Sequence, residues 1–196
     1  WIGLPGERVI SIPGGVRRPC GNVAPRRVSG PLRIGYVGRL DQSQKRVMDL
    51  IPFVRGLEED GVEYRLDIVG AGPFEVELRQ GLSRTTGRKA IRFLGWRSRD
   101  ELYRDVYPHL DCLIHFAMTE GVTIAPREAM IHGVVPIVSE FYGLKAEGHF
   151  VHQSNALTFP VGDVERAVEN VRRVVKETDL LPRLSREAMK SQEGKY

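Results

Sequence analysis

The chain has 196 residues, 41% hydrophobic and 28% charged, which is length and apolar content enough for one domain with a buried core. No apolar run approaches the ~18 residues of a membrane span. A net charge of +4 fits anionic partners, but the basic residues are dispersed and aromatics make up only 8%, which argues against a nucleic-acid-binding surface.

Trp1 is not an initiating residue, so the expectation is a piece of a longer chain, or a chain whose beginning was removed or is disordered, with an upstream signal peptide left open. Arg8 to Ile12 reads as a short strand ended by Pro13-Gly14-Gly15, and a Pro-, Gly- and Arg-rich loop runs on to Pro31. Residues 1–31 are therefore a leading strand and loop rather than core. Arg33 to Gly38 is the next strand, and beyond its end lie Arg39, Leu40, Asp41 and Lys45. Val47, Leu50, Ile51, Val54 and Leu57 then recur at helical spacing, with Pro52 expected to kink the helix unless it begins late. Tyr64 to Val69 is a strand closed by Gly70-Ala71-Gly72-Pro73, and a helix follows over about Phe74 to Thr85. Its GxG lacks the third glycine of a dinucleotide fingerprint, so a sharp turn is the plain reading. Ile91 to Gly95 is a further strand, after which Ser98 and Glu101 form a capping box for a helix through Val106.

Cys112 to Ala117 is a short apolar run of the kind found in buried parallel strands. The chain breaks at Thr119-Glu120-Gly121, and Ala125 to Met130 are helix formers, with Pro126 admissible in the first turn and Gly133 as the stop. This corner has a chemical use. A helix N-terminus with unpaired amides holds anions, Gly121 lets a ligand approach the backbone, and Glu120 and Glu128 accept hydrogen bonds from hydroxyl groups. The pattern suits a ligand that carries both phosphate and sugar.

Val134 to Ser139 and Asn155 to Phe159 are strands, and Asp163 caps a helix whose Ala167, Val168, Val171, Val174 and Val175 share one face. From Asp179 the chain is polar and helical, so residues 32–178 are read as the main domain and 179–196 as a C-terminal helical tail. Strands alternate with helices throughout. An α/β, Rossmann-like fold is expected, with a mainly parallel sheet, helices on both faces and a ligand crevice at the carboxyl ends of the strands. Arg39, Gly70 to Gly72, Trp96 and Glu120 all fall at such ends. His115 is expected to pack in the core or bond a backbone carbonyl, and His149 and His152 lack the acidic neighbours of a zinc site. Cys20 and Cys112 form no CxxC pair, which suggests a reducing compartment or at most one incidental disulfide, and the cytoplasm is the favoured location.

The ordered series Val37-Gly38-Arg39-Leu40 with Lys45, Ile68 to Pro73, Phe93-Leu94-Gly95, Glu120-Gly121 with Glu128-Ala129-Met130, and Gly133-Val134-Val135-Pro136 resembles the C-terminal domain of a retaining GT-B glycosyltransferase of family 4. The resemblance spans nearly the whole chain and includes a Glu-x7-Glu spacing. It implies one half of a GT-B fold that binds a nucleotide diphosphate sugar, with residues 1–31 including the interdomain loop and a missing N-terminal domain holding a sugar or lipid-linked acceptor. It implies further that Arg39 and Lys45 hold the diphosphate and stabilise the leaving group, while Glu120 lies against the donor sugar as the third catalytic position. Glu128 would bind the ribose, Gly38, Gly72, Gly121, Val122 and Thr123 would line the donor, and Trp96 and Arg97 would meet the base. No acidic pair such as DxD is present, so no metal and no cofactor is expected. The implied setting is polysaccharide or glycoconjugate assembly, cytoplasmic, with any membrane association made through the missing domain and with this chain inactive alone. Two departures stand out: the family's Glu-Gly-aromatic-Gly is here Glu120-Gly121-Val122-Thr123, and its paired glycines after the next strand are Tyr142-Gly143-Leu144-Lys145, with Glu147 closing the motif. Other GT-B reactions, epimerisation or phosphorolysis, and a noncatalytic anion-binding module remain as alternatives.

Overall fold

The computed structural model describes residues 15–19 and 21–193. The expected strand at Arg8 to Ile12, together with Cys20, lies outside them. Six strands form one parallel sheet: β1 (Leu32–Val37), β2 (Tyr64–Val69), β3 (Ile91–Gly95), β4 (Cys112–His115), β5 (Val135–Ser139) and β6 (Leu157–Phe159). Their order across the sheet is β3-β2-β1-β4-β5-β6. This is the doubly wound arrangement, in which the chain works outward from β1 in one direction and then returns to its other side. Strand β1 pairs with β2 from Leu32↔Tyr64 to Val37↔Val69, and with β4 at Ile34↔Cys112 and Gly35↔Leu113. The switch point is thus the gap between the carboxyl ends of β1 and β4.

Strands covered on both faces should be nearly continuous apolar runs, and β4 and β5 are buried at every position. On one face Ile34, Leu66, Ile114 and Ile137 pack with α1 (Leu50–Glu59), α2 (Glu75–Leu82) and α6 (Val164–Lys176). On the other, Val37, Val69 and Leu113 meet a helical segment that begins as α3 (Arg99–Glu101), and α4 (Ile124–Ile131). The short α5 (Leu144–Glu147) lies between β5 and β6 in sequence. No described helix is long and apolar enough to cross a membrane.

Several local expectations resolve into specific geometry. A 3-10 turn at Val47–Asp49 precedes α1, which places Pro52 third in the helix, where its missing N–H costs nothing. Asp163 caps α6 by accepting from the Arg166 amide at 2.9 Å. Ser98 and Glu101 form the capping box, but the helix they start changes character after one turn. Leu102–Val106 is π-helical and Tyr107–His109 is a 3-10 turn, which sends Tyr103 and Tyr107 inward. The segment after Asp179 is helical as α7 (Leu180–Ser191), and it is not polar all round. Leu180, Leu181, Leu184 and Ala188 recur at helical spacing, are buried, and seat the helix against α4, α6 and β5.

Candidate functional site

Three segments meet at the switch point, one after β1, one after β4 and the N-terminus of α4. After β1, Asp41 organises the turn. Its Oδ1 accepts from the Gln44 amide at 2.9 Å and from the Ser43 hydroxyl at 3.2 Å, while its Oδ2 lies 2.5 Å from Arg39 Nε. Gln44 carries the connection across. Its side chain accepts from Arg39 Nη2 at 2.9 Å and donates to the Thr119 carbonyl at 3.2 Å, and its own carbonyl accepts from the Met118 amide at 2.9 Å. Lys45 is thereby carried to Glu120, and its Nζ donates to Glu120 Oε1. Sequence reading noted Asp41 at the strand end without giving it a role and passed over Gln44. Each also bonds backbone atoms, Asp41 the Gln44 amide and Gln44 the Thr119 carbonyl, which residue spacing does not reveal.

Glu120 is the centre of the site. Its side chain is only 5% exposed, and His115 Nε2 lies 3.0 Å from Oε1, the oxygen that also takes Lys45. His115, at the carboxyl end of β4, is buried and packs edge-on against Phe141, as expected of a core residue, but it faces Glu120 and not a backbone carbonyl. The strand's alternation points it at the acid that follows. Burial pushes the Glu120 carboxyl up, but the contacts from His115 and Lys45 outweigh it and hold the group below its ordinary pKa. Burial pushes the His115 imidazole down.

Glu128, on α4, sits apart from this trio. It is buried, accepts from the Tyr107 hydroxyl at 3.0 Å, and has Arg99 Nε 2.8 Å from its Oε1. His132 extends the cluster, with Nδ1 2.7 Å from the Glu128 carbonyl and its ring edge-on to Tyr103. Tyr107 reaches Glu128 from the 3-10 turn that follows the π-helical segment Leu102–Val106. Burial raises the Glu128 pKa in spite of Arg99 and the tyrosines. The two glutamates of the Glu-x7-Glu spacing thus occupy opposite environments. A carboxyl with a raised folded-state pKa binds more protons folded than unfolded from its ordinary value of 4.5 upward, so stability falls as pH rises through that window. Glu120 does the reverse, its contribution being present above 4.5 and lost as pH falls through its depressed value. At pH 7, Glu128→Gln should therefore melt at or above the wild type and Glu120→Gln below it. Thermal melts in the opposite order would contradict this electrostatic account.

The other expected positions divide. Gly121 is open, with no atom within 4 Å of where a Cβ would stand, and Val122 is exposed. Thr123, at the N-cap of α4, donates to Glu147 Oε1 at 2.8 Å and makes no side-chain capping bond, so the helix amides are left without a side-chain acceptor. Gly38 and Gly72 are places of close backbone approach. A Cβ on Gly72 would lie 2.3 Å from the Leu40 carbonyl oxygen, and the Gly38 carbonyl fills the space beside Gly70. Trp96 is 72% exposed, and Arg97 turns back to Glu101 at 3.3 Å; it is Arg99, which sequence reading missed, that reaches α4 from this loop. No group of three potential metal ligands occurs among the described residues. A cavity of about 560 Å³ lies away from Glu120, where Arg17, Arg26 and Pro19 face Tyr103, Pro108 and His132.

The fold has many solved counterparts. An apo lipopolysaccharide outer core galactosyltransferase, WaaB, superposes with a TM-score of 0.73 at 23% identity, over 96% of this chain and 55% of that one. The Anabaena protein Alr3699/HepE, solved in complex with UDP and glucose, gives 0.73 at 17% identity over 85% of this chain and 45% of that one. The C-terminal domain of a glycosyl transferase group 1 family protein, LpcC, from Francisella tularensis gives 0.73 at 18% identity and covers 89% and 92%. The chain spans about half the length of the first two and matches a single half of the GT-B architecture. No curated protein sequence matches it. The sequence profile of the glycosyl transferases group 1 family covers residues 24–191, most of the chain, and to that glycosyltransferase family the protein belongs.

Proposed function

We propose that this domain is the donor half of a retaining glycosyltransferase of family 4, binding a nucleotide diphosphate sugar while an N-terminal domain supplies the acceptor. The observation that carries the reading is the meeting of Lys45, Glu120 and the α4 N-terminus at the switch point between β1 and β4. Solved relatives in the same fold hold UDP with glucose or with N-acetylglucosamine, which supports a nucleotide-sugar ligand here.

The chemistry follows from the donors present. Lys45 has three N–H donors and gives one to Glu120; Arg39 is 60% exposed and keeps guanidinium N–H groups beyond its contacts with Asp41 and Gln44. Both face a diphosphate, and the uncapped amides of α4 add the positive end of a helix. When the bond from the anomeric carbon to the diphosphate breaks, its electron pair passes to the phosphate oxygen, and these groups stabilise the charge that gathers there. Glu120 accepts from the sugar and Glu128 from the ribose hydroxyls. Arg99, half exposed over Glu128, is the partner that a ribose diol displaces or shares. We infer that the product enters polysaccharide or glycoconjugate assembly in the cytoplasm.

A thermal-shift panel of nucleoside diphosphates and their sugars tests the reading. A ligand that binds only the folded state at 100 times its dissociation constant adds about 2.7 kcal/mol of stability, so at least one nucleotide sugar should raise the melting temperature clearly. A flat panel would overturn the assignment. Because the binding groups are cationic side chains and helix amides, affinity should be equal with and without a chelator. A strict manganese requirement would contradict that.

A further inference from the structure

We propose that His115 is a positioning residue of the donor site, whose Nε2–H holds Glu120 Oε1 so that Oε2 is presented to a hydroxyl of the donor sugar. The inference rests on the donor reading above and adds to it a residue from the sheet itself. Strand β4 is buried on both faces, a setting where a polar side chain costs stability unless it is partnered. An aliphatic residue would fill the position more cheaply. Instead His115 has its Nε2 3.0 Å from Glu120 Oε1 and its ring edge-on to Phe141 at 6.1 Å.

Lys45 Nζ donates to the same oxygen. With Lys45 donating to Oε1 and His115 Nε2 3.0 Å from the same oxygen, though off the line of a straight hydrogen bond, turning the carboxylate would break the lysine contact and part it from the ring, and its other oxygen is left to a third partner. The charged groups that bear on the imidazole are Glu120, Lys45 and Glu147. Burial and Lys45 hold it neutral against the two acids, so it has a single N–H, and the contact with Glu120 places that proton on Nε2. The carboxylate is thereby oriented without a second positive charge beside it. Lys45 keeps two further N–H donors for the diphosphate beyond the one given to Glu120.

Calorimetry with UDP, UDP-glucose, UDP-galactose and UDP-N-acetylglucosamine, and with GDP and GDP-mannose, tests this on wild type, His115→Phe and His115→Gln. Phenylalanine keeps a ring against Phe141 and removes the donor; glutamine keeps an N–H. A hydrogen bond to a charged group is worth enough that His115→Phe should reduce the preference for sugar nucleotide over bare nucleotide by about tenfold. Affinity for the bare nucleotide should stay within about twofold, and His115→Gln should recover most of the preference. An unchanged preference in His115→Phe, or an equal loss of both ligands, would reduce His115 to a packing residue and overturn the proposal. If wild type binds none of these compounds, the donor reading fails and the proposal with it. Nitrogen-15 NMR of the ligand-free protein is independent of that outcome. The ring should show the Nε2–H tautomer without titrating near its ordinary pKa of about 6.5, and Glu120→Gln should shift the Nε2 signal. An Nδ1–H tautomer, or an Nε2 signal that does not move in Glu120→Gln, would overturn the proposal whatever the binding data.

Discussion

Lys45→Ala, placed in the whole enzyme that this donor half would serve, should lower turnover at saturating donor by at least tenfold, about 1.4 kcal/mol of transition-state stabilisation. The expectation follows from where charge develops. The diphosphate gains negative charge as the glycosidic bond breaks, so a cation aimed at it binds the transition state more tightly than the ground state. In the proposed donor reading Glu128 meets ribose hydroxyls that do not change charge, and Glu128→Gln should mainly raise the donor Michaelis constant. Lys45→Ala also strips a donor from Glu120, so the melting temperature is to be read beside the rate. Intact turnover in Lys45→Ala would remove the lysine from the chemistry. Abolished turnover in Glu128→Gln with normal donor binding would reassign the glutamate. The expected stability of Glu128→Gln makes the comparison sharper, because a variant that folds as well as wild type yet binds donor poorly separates function from folding.

Gly70→Ala should destabilise the domain by more than about 3 kcal/mol, combining backbone strain with overpacking. Gly70 has φ +140°, and a Cβ there would lie 1.9 Å from the Gly38 carbonyl oxygen. Two strand ends touch through backbone alone at this point, and no side chain can retreat to make room. Gly121→Ala is the control: its Cβ would meet nothing within 4 Å, and its stability should stay within about 0.5 kcal/mol of wild type. Urea unfolding of the two variants decides the matter. Equal midpoints would show that the turn after β2 relaxes freely and that Gly70 and Gly38 do not fix the floor of the crevice.

The physics that sets the Gly70 effect also explains what the sequence revealed. The GxG after β2 reads as a sharp turn, and the structure adds that its glycines are there for the approach of β1's end. Glu120, Lys45 and the start of α4 were legible because the corner residues that shape them are local: an apolar strand, a glycine, then helix formers. His115 was not. A histidine in an apolar run points to one face or the other, and only the turn at Thr119 to Gly121, bridged to Tyr142, decides that the acid folds back over it. Arg99 was hidden for a similar reason, since its contact with Glu128 crosses 29 residues of chain.

By itself the sequence determined the alternation of strands and helices, the burial of the sheet on both faces and the set of residues that gather at the strand ends. These follow from hydrophobic periodicity and turn chemistry, which act over a few residues. The tertiary structure decided the strand order that makes the gap between β1 and β4 the switch point, and the pairing of Glu120 with Lys45 and His115 as against Glu128 with Arg99 and Tyr107. It also decided that the two acids hold their protons differently. Those outcomes depend on burial and on charges brought together across 5 to 75 residues of chain, distances over which local sequence carries no instruction.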